Sequence, residues 1–192
     1  MKFRNLAAVA AMVLSAGAQA APIFADNFDG DALGLNAVPA GWSIGNAGTV
    51  DIIGAPGFFD LIPGNGHYID LDGSNGLAGT LTTVTGVLTG TYTATFQLGG
   101  NHRDGTTDLV TVAFGNASTT IAVGPNDPFT TYSLTTTANL DQLSLSFHDG
   151  RDGNVGALLD NVAISAVPEP GSLSLMLAGI AALGFAARRR RS

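Results

Sequence analysis

From Ala21 to Val167 the chain has neither lysine nor glutamate, and no stretch sustains a 3.6-residue apolar period. A surface helix needs an apolar stripe backed by a charged face, and those two residue types normally supply it. Alternation with period two takes its place. In Thr91–Leu98, Tyr92, Ala94, Phe96 and Leu98 share one face while threonines fill most of the other. In Gln142–Phe147, Leu143, Leu145 and Phe147 alternate with polar partners, and Asp108–Phe114, Thr130–Thr136 and His67–Leu71 repeat the pattern more weakly. Clusters of Gly, Asn and Asp at 73–76, 99–105, 124–127 and 149–154 punctuate these runs as turns. About eight short strands separated by glycine-rich turns predict an all-β fold, an antiparallel jelly-roll-like β-sandwich over residues 21–167. A domain of this length buries roughly two-thirds of its unfolded surface, so it needs no disulfide. With no cysteine in the chain, thiolate metal sites, iron–sulfur clusters and a cysteine nucleophile are excluded. No fixed-period repeat is present, which argues against a solenoid or propeller.

Charge narrows the partners. Fourteen aspartates face only Arg103 and Arg151 between Ala21 and Val167, leaving that region twelve negative. Such a surface repels phosphate backbones, so no nucleic-acid partner is expected; cations or neutral sugars suit it better.

The two ends have their own grammar. Lys2 and Arg4 precede the apolar run Leu6–Leu14, and Ala18 and Ala20 place small residues at the −3 and −1 positions. Residues 1–20 therefore read as a signal peptide cut by signal peptidase after Ala20. At the other end, Pro168, Glu169 and Pro170 form an extended segment, because each proline disfavours helix in the residue before it. Leu173–Ala187 then runs fifteen residues without a charge, and Arg188, Arg189, Arg190 and Arg191 follow at once. That is a transmembrane helix slightly short of the usual ~20 residues, stopped by arginines on the cytoplasmic side.

Pro168-Glu169-Pro170, an apolar helix and an arginine cluster, in that order, resemble the PEP-CTERM sorting signal of exported proteins in Gram-negative bacteria that make extracellular polysaccharide. Residues 168–192 carry the resemblance. It implies an exosortase as partner, recognising Pro168-Glu169-Pro170 and removing the tail. The implied route is export, transient anchoring in the inner membrane, and delivery to the cell surface or the extracellular space. An ordinary C-terminal anchor is the competing reading.

Within the domain, Asp160 has the same parity as Leu158, Val162 and Ile164, which puts a carboxylate on an apolar strand face. Such a charge is paired, bound to a cation, or capping backbone amides in a turn or bulge. Two arginines cannot serve fourteen aspartates, which leaves a hard cation as one option. The region also loosely resembles the jelly-roll domains of carbohydrate-binding modules. Many of those hold a structural calcium between an N-terminal acidic residue and a C-terminal Asp. The resemblance implies a calcium site built from Asp160 with Asp26 and Asp29, and with Asp31 as a further candidate. Asp70–Asn75 begins like an EF-hand loop, but Asn75 stands where the sixth-position glycine belongs and Leu81 where the twelfth-position glutamate belongs. Asp149–Asn154 could supply oxygens to a metal from a tight turn, although such sequences are more often plain turns.

Catalytic patterns are weak. His67, His102 and His148 are far apart, no G-x-S-x-G occurs, and the only glutamate lies in the sorting segment. No catalytic residue is assigned, and His102 and Arg103 read as loop-tip residues. For sugar, Trp42 in a Pro-Ala-Gly-Trp loop is the candidate platform, followed by Tyr68, Tyr132, Phe58 and Phe59. Three functions stay open. The first is a noncatalytic surface or matrix protein associated with exopolysaccharide. The others are a carbohydrate-binding module with structural calcium, and a hydrolase with a cryptic site.

Overall fold

The computed structural model describes residues 20–54 and 57–168, together with 178–181, 183 and 189. Ten strands follow one another: β1 (Pro22–Asp26), β2 (Gly34–Ala37), β3 (Ser43–Gly45), β4 (Val50–Gly54), β5 (His67–Asp70), β6 (Thr80–Gly99), β7 (Asp108–Phe114), β8 (Ala117–Val123), β9 (Thr130–Asp149) and β10 (Leu158–Ala166). All pair antiparallel, in the order β2-β4-β5-β10-β6-β9-β7-β8, with β1 added to β10 and β3 to β6.

β6 and β9 are the frame. Each is 20 residues long, and they pair from Thr80↔His148 to Leu98↔Thr130. Strands usually run about five or six residues, so a pair this long must bend. Its register slips between Val84 and Val87 and again between Leu88 and Thr89. Gly90 (φ +113°) and Leu140 (φ +58°) adopt left-handed backbone at that bend. One half of the ladder joins β3, β7 and β8, and the other joins β10 with β5, β4 and β2. The halves curl over one another, and Phe96 meets Phe147 edge to face at 5.0 Å across the core. Tyr92, Ala94, Phe96, Leu98, Leu143, Leu145 and Phe147 are all buried, as their alternation predicts.

A small second core lies outside the sheet. Ile53, Tyr68 and Leu158 point away from the main core and are covered by Phe58, Leu61, Ile62 and Phe129. The Tyr68 hydroxyl pins the overlying loop, accepting from the Leu61 and Ile62 amides at 2.5 and 3.0 Å.

The terminal segments are described in part. Residues 1–19 of the expected signal peptide, Ala18 among them, lie outside the described residues, as do Glu169, Pro170, Arg188, Arg190, Arg191 and most of Leu173–Ala187. Ala20 and Pro168 sit in irregular backbone, and Arg189 is helical and exposed. Among the described residues no helix is long and apolar enough to cross a membrane.

Candidate functional site

On β4 the alternation that sends Val50 and Ile52 into the main core turns Asp51 and Ile53 to the other face. On β5 it does the same with Tyr68 and Asp70, and Asp51 stands directly opposite Asp70. Both carboxylates are buried. Asp51 Oδ1 accepts from the Asn36 and Ser74 amides at 2.7 and 3.0 Å, and Oδ2 accepts from the Ser74 hydroxyl at 2.6 Å. Asp70 Oδ1 accepts from the amides of Asp72 and Gly156, and Oδ2 pairs with the Arg103 guanidinium. Burial raises the Asp70 carboxyl, against the pull of Arg103 and those two amides.

These groups floor a small open cleft of about 100 Å³, shallower than the pockets of about 300–1,000 Å³ that enclose drug-sized ligands. Leu35, Ile53 and Phe59 form its apolar wall; Ser74, Arg103 and Asn154 form its polar one. Phe59 is 51% exposed and braced edge-on by Phe58 at 5.5 Å. Arg103 also donates to the Asn154 carbonyl at 3.2 Å, so its guanidinium is held at the rim from two sides. It is no free loop tip: the chain bends back at His102 (φ +56°) and carries Arg103 to β5. An aromatic face beside planar polar groups can stack on a sugar ring and hydrogen-bond its hydroxyls.

Trp42 does not contribute to such a surface. It is 8% exposed, packed against Phe24, Phe28 and Phe147, and its indole donates to Asp26. Tyr68 is fully buried, and Tyr132 stacks on Phe96. Of the aromatic candidates, Phe59 alone is exposed at the cleft.

Asp160 is buried at 1% exposure, but its parity differs from the sequence expectation. The β10–β6 register slips by one residue between Asp160 and Ala163, around Asn161 (φ +50°). This bulge puts Leu159 in the main core with Val162 and Ile164, and sends Asp160 outward with Leu158. Its oxygens accept from the Asn161 amide at 2.6 Å and side chain at 3.0 Å. Burial pushes Asp160 up to about 7, and the charges of Asp29 and Asp26 add to the rise. The expected trio is thus in one neighbourhood, and neither Arg103 nor Arg151 pairs with it. Asp26 meanwhile accepts from Phe28 N and Trp42 Nε1, and Asp29 from His67 N and Asn27 Nδ2. Among the described residues no three acidic or histidine side chains converge closely enough to hold a metal as they stand. The histidines are dispersed: His67 and His148 each place Nδ1 on a main-chain carbonyl.

Residues 166–191 match the PEP-CTERM protein-sorting motif, so the chain carries a signal of export through the cell envelope of Gram-negative bacteria. No curated protein sequence matches the chain. Among solved structures, it is similar to the CBM22-1 xylan-binding domain from Paenibacillus barcinonensis Xyn10C, with a TM-score of 0.56 and 10% identity over 79% of this chain and 97% of that one. It is also similar to part of BtGH115A, a 4-O-methyl-α-glucuronidase with specificity for decorated arabinogalactans, with a TM-score of 0.50 and 16% identity. That match covers 86% of this chain and 20% of the enzyme. At these identities the likeness concerns the fold, that of a carbohydrate-binding-module jelly roll.

Proposed function

We propose that this chain is a noncatalytic cell-surface or matrix protein whose β-sandwich holds a neutral polysaccharide at the cleft beside Phe59. One observation carries the reading: the exposed Phe59 ring faces the same cleft as Arg103, Ser74 and Asn154, over a floor of tethered carboxylates. A hydrolase reading has less support. Glycoside hydrolysis needs one carboxyl to donate a proton and another to act on the sugar. Asp51 accepts three hydrogen bonds and Asp70 is tied to Arg103, so both are committed to holding the cleft together.

Maturation in this proposal runs through signal peptidase after Ala20 and an exosortase at Pro168-Glu169-Pro170, with Leu173–Ala187 a transient inner-membrane anchor. The sandwich also carries a structural calcium between Asp160 and the pair Asp26 and Asp29. The donor chemistry suits a hard cation: a buried carboxylate beside two others, with no guanidinium in contact. Affinity electrophoresis of the mature protein against xylan, arabinogalactan and the producer's own exopolysaccharide tests the reading. Retardation on at least one, lost in Phe59→Ala and in Arg103→Gln, supports it. Release of reducing ends from a bound polysaccharide, or unaltered retardation of both variants, sinks it.

A further inference from the structure

The two acidic loops that the sequence presents separately, Asp70–Asn75 and Asp149–Asn154, come together in the fold. The segment after β5 supplies Asp72, the last residue of β9 is Asp149, and the loop from β9 to β10 supplies Asp152. Asp72 is fully buried, and its two carboxylate oxygens are the buried side-chain polar atoms among the described residues that lack any hydrogen-bond partner. An orphaned buried carboxylate is among the most unfavourable things a fold can contain, so something absent from the protein itself must answer it.

Asp149, also fully buried, is its neighbour. A Cβ on Gly156 would fall 2.7 Å from Asp72 Cβ and 3.0 Å from Asp149 Oδ2, so only a glycine fits between the two residues, whose charges act on one another. A Cβ on Gly153 would fall 2.9 Å from Asp72 Oδ2. The Gly153 and Val155 amides come near enough to favour the charged form, yet neither meets an oxygen in hydrogen-bond geometry. Asp149 is itself only partly answered, by the Ala157 amide at 2.9 Å and the Arg151 amide at 3.3 Å.

No side chain nearby is left to neutralise the pair. Arg103 is committed to Asp70 and the Asn154 carbonyl. Arg151 donates to Asp104 at 2.7 Å, to Asp108 at 2.9 Å and to the Val155 carbonyl at 3.0 Å. Neither guanidinium touches the Asp72 or Asp149 carboxylate. Asp152, exposed at the loop surface, adds a further negative charge toward Asp72.

We propose that Asp72 and Asp149, with Asp152 at the mouth, bind one divalent cation of calcium type, separate from the site around Asp160. Two carboxylates leave most of the six to eight oxygens of calcium to carbonyls and water, which its flexible coordination accepts and the stricter octahedron of magnesium does not. The ion clips the β9–β10 loop to the strand that carries Asp70, so it also steadies Arg103 and Asn154 at the cleft. The competing account of the orphan is a proton shared by the two carboxyls.

Calcium titration calorimetry on the chelator-stripped full chain separates the two accounts. In an Asp160→Asn background, one calcium should still bind, Asp72→Asn should abolish it, and Asp152→Asn should weaken it by about tenfold through the negative charge lost at the mouth. Circular dichroism confirms that each variant is folded. If Asp72→Asn fails to fold, the exposed Asp152→Asn decides alone, and unchanged affinity there overturns the site. Loss of all calcium binding in Asp160→Asn, or no calcium uptake by the wild type at millimolar concentration, also overturns it. So does an Asp72→Asn protein that takes up as much calcium as wild type: the orphan then carries a proton.

Discussion

The indole of Trp42 donates from Nε1 to Oδ2 of Asp26 at 2.7 Å, joining the core of the sandwich to its first strand. This bond ties the only tryptophan to one of the acidic residues read as a cation ligand. Replacing Trp42 by Phe keeps an aromatic body in the core but leaves Asp26 Oδ2 without its donor. The expected loss is about 0.5–1.5 kcal/mol, the net worth of a typical hydrogen bond, because half-exposed Asp26 can turn to water instead. Denaturant unfolding should show a lower midpoint, with polysaccharide retardation unchanged. Retardation lost in Trp42→Phe while the fold is intact would restore Trp42 as the platform.

Stability should fall as pH rises when metal is withheld. Burial is the main cause of the elevation in Asp160, to about 7, and in Asp72 and Asp108, each to about 6. Each therefore holds its proton more tightly in the folded chain than in the unfolded one. The sign follows: these groups stabilise the fold fully below the unfolded value near 4, and that contribution is lost as pH climbs through 6 and 7. Asp104, held low first by the Thr106 amide and then by Arg151, acts in the opposite sense and only at more acid pH. In chelator the melting temperature should be higher at pH 5 than at pH 7.5, at about 2–4 °C for each kcal/mol. Asp160→Asn should remove the part of the slope that extends up to about 7, and calcium should flatten the curve at neutral pH. A flat profile in chelator would contradict this account.

Closure of the sandwich rests on residues from opposite halves of the β6–β9 ladder. Phe96 and Phe147 are fully buried and meet at 5.0 Å with planes 76° apart. Phe147→Ala is expected to lose about 3–5 kcal/mol through cavity formation. A double-mutant cycle with Phe96→Leu should return a coupling of about 0.5–1.5 kcal/mol, the range for an aromatic pair beyond its burial. Additive effects would mean that the halves are held by other contacts.

Strand positions were legible because threonine-rich alternation leaves one buried face, as at Tyr92–Leu98 and Leu143–Phe147. What alternation hides is continuity. Nothing in Thr80–Thr89 announces that it extends the same strand, because the bend is absorbed by left-handed backbone at Gly90 and Leu140. A single extra residue at Asn161 reversed the parity reading of Asp160, which is the characteristic failure of a period-two argument at a bulge. The carboxylates of the cleft did leave a trace: Asp51 inside Val-Asp-Ile-Ile and Asp70 after Tyr-Ile are charges within apolar runs, which predicts burial and a partner. Which partner is a tertiary matter. Arg103 lies 33 residues from Asp70, and Asp149 lies 77 from Asp72.

The sorting motif begins where the sandwich ends, and that junction makes a prediction. β10 closes at Ala166, and the last ladder-like bond runs from Val167 N to Thr91 O at 2.8 Å. Pro168 has no N–H, so pairing with β6 cannot continue through it, and Val167 and Pro168 are both exposed. A protease acting at Pro168-Glu169-Pro170 therefore needs to break no strand. The trimmed and untrimmed proteins should melt at the same temperature, whereas ending the chain after Ala163 removes the fully buried Ile164 and should lose at least about 1.5–3 kcal/mol. In cells, Glu169→Ala should accumulate a longer, membrane-bound form. Mass spectrometry of the wild-type surface protein decides the matter: a C-terminus still bearing Arg188–Ser192 would show that the tail serves as a plain anchor.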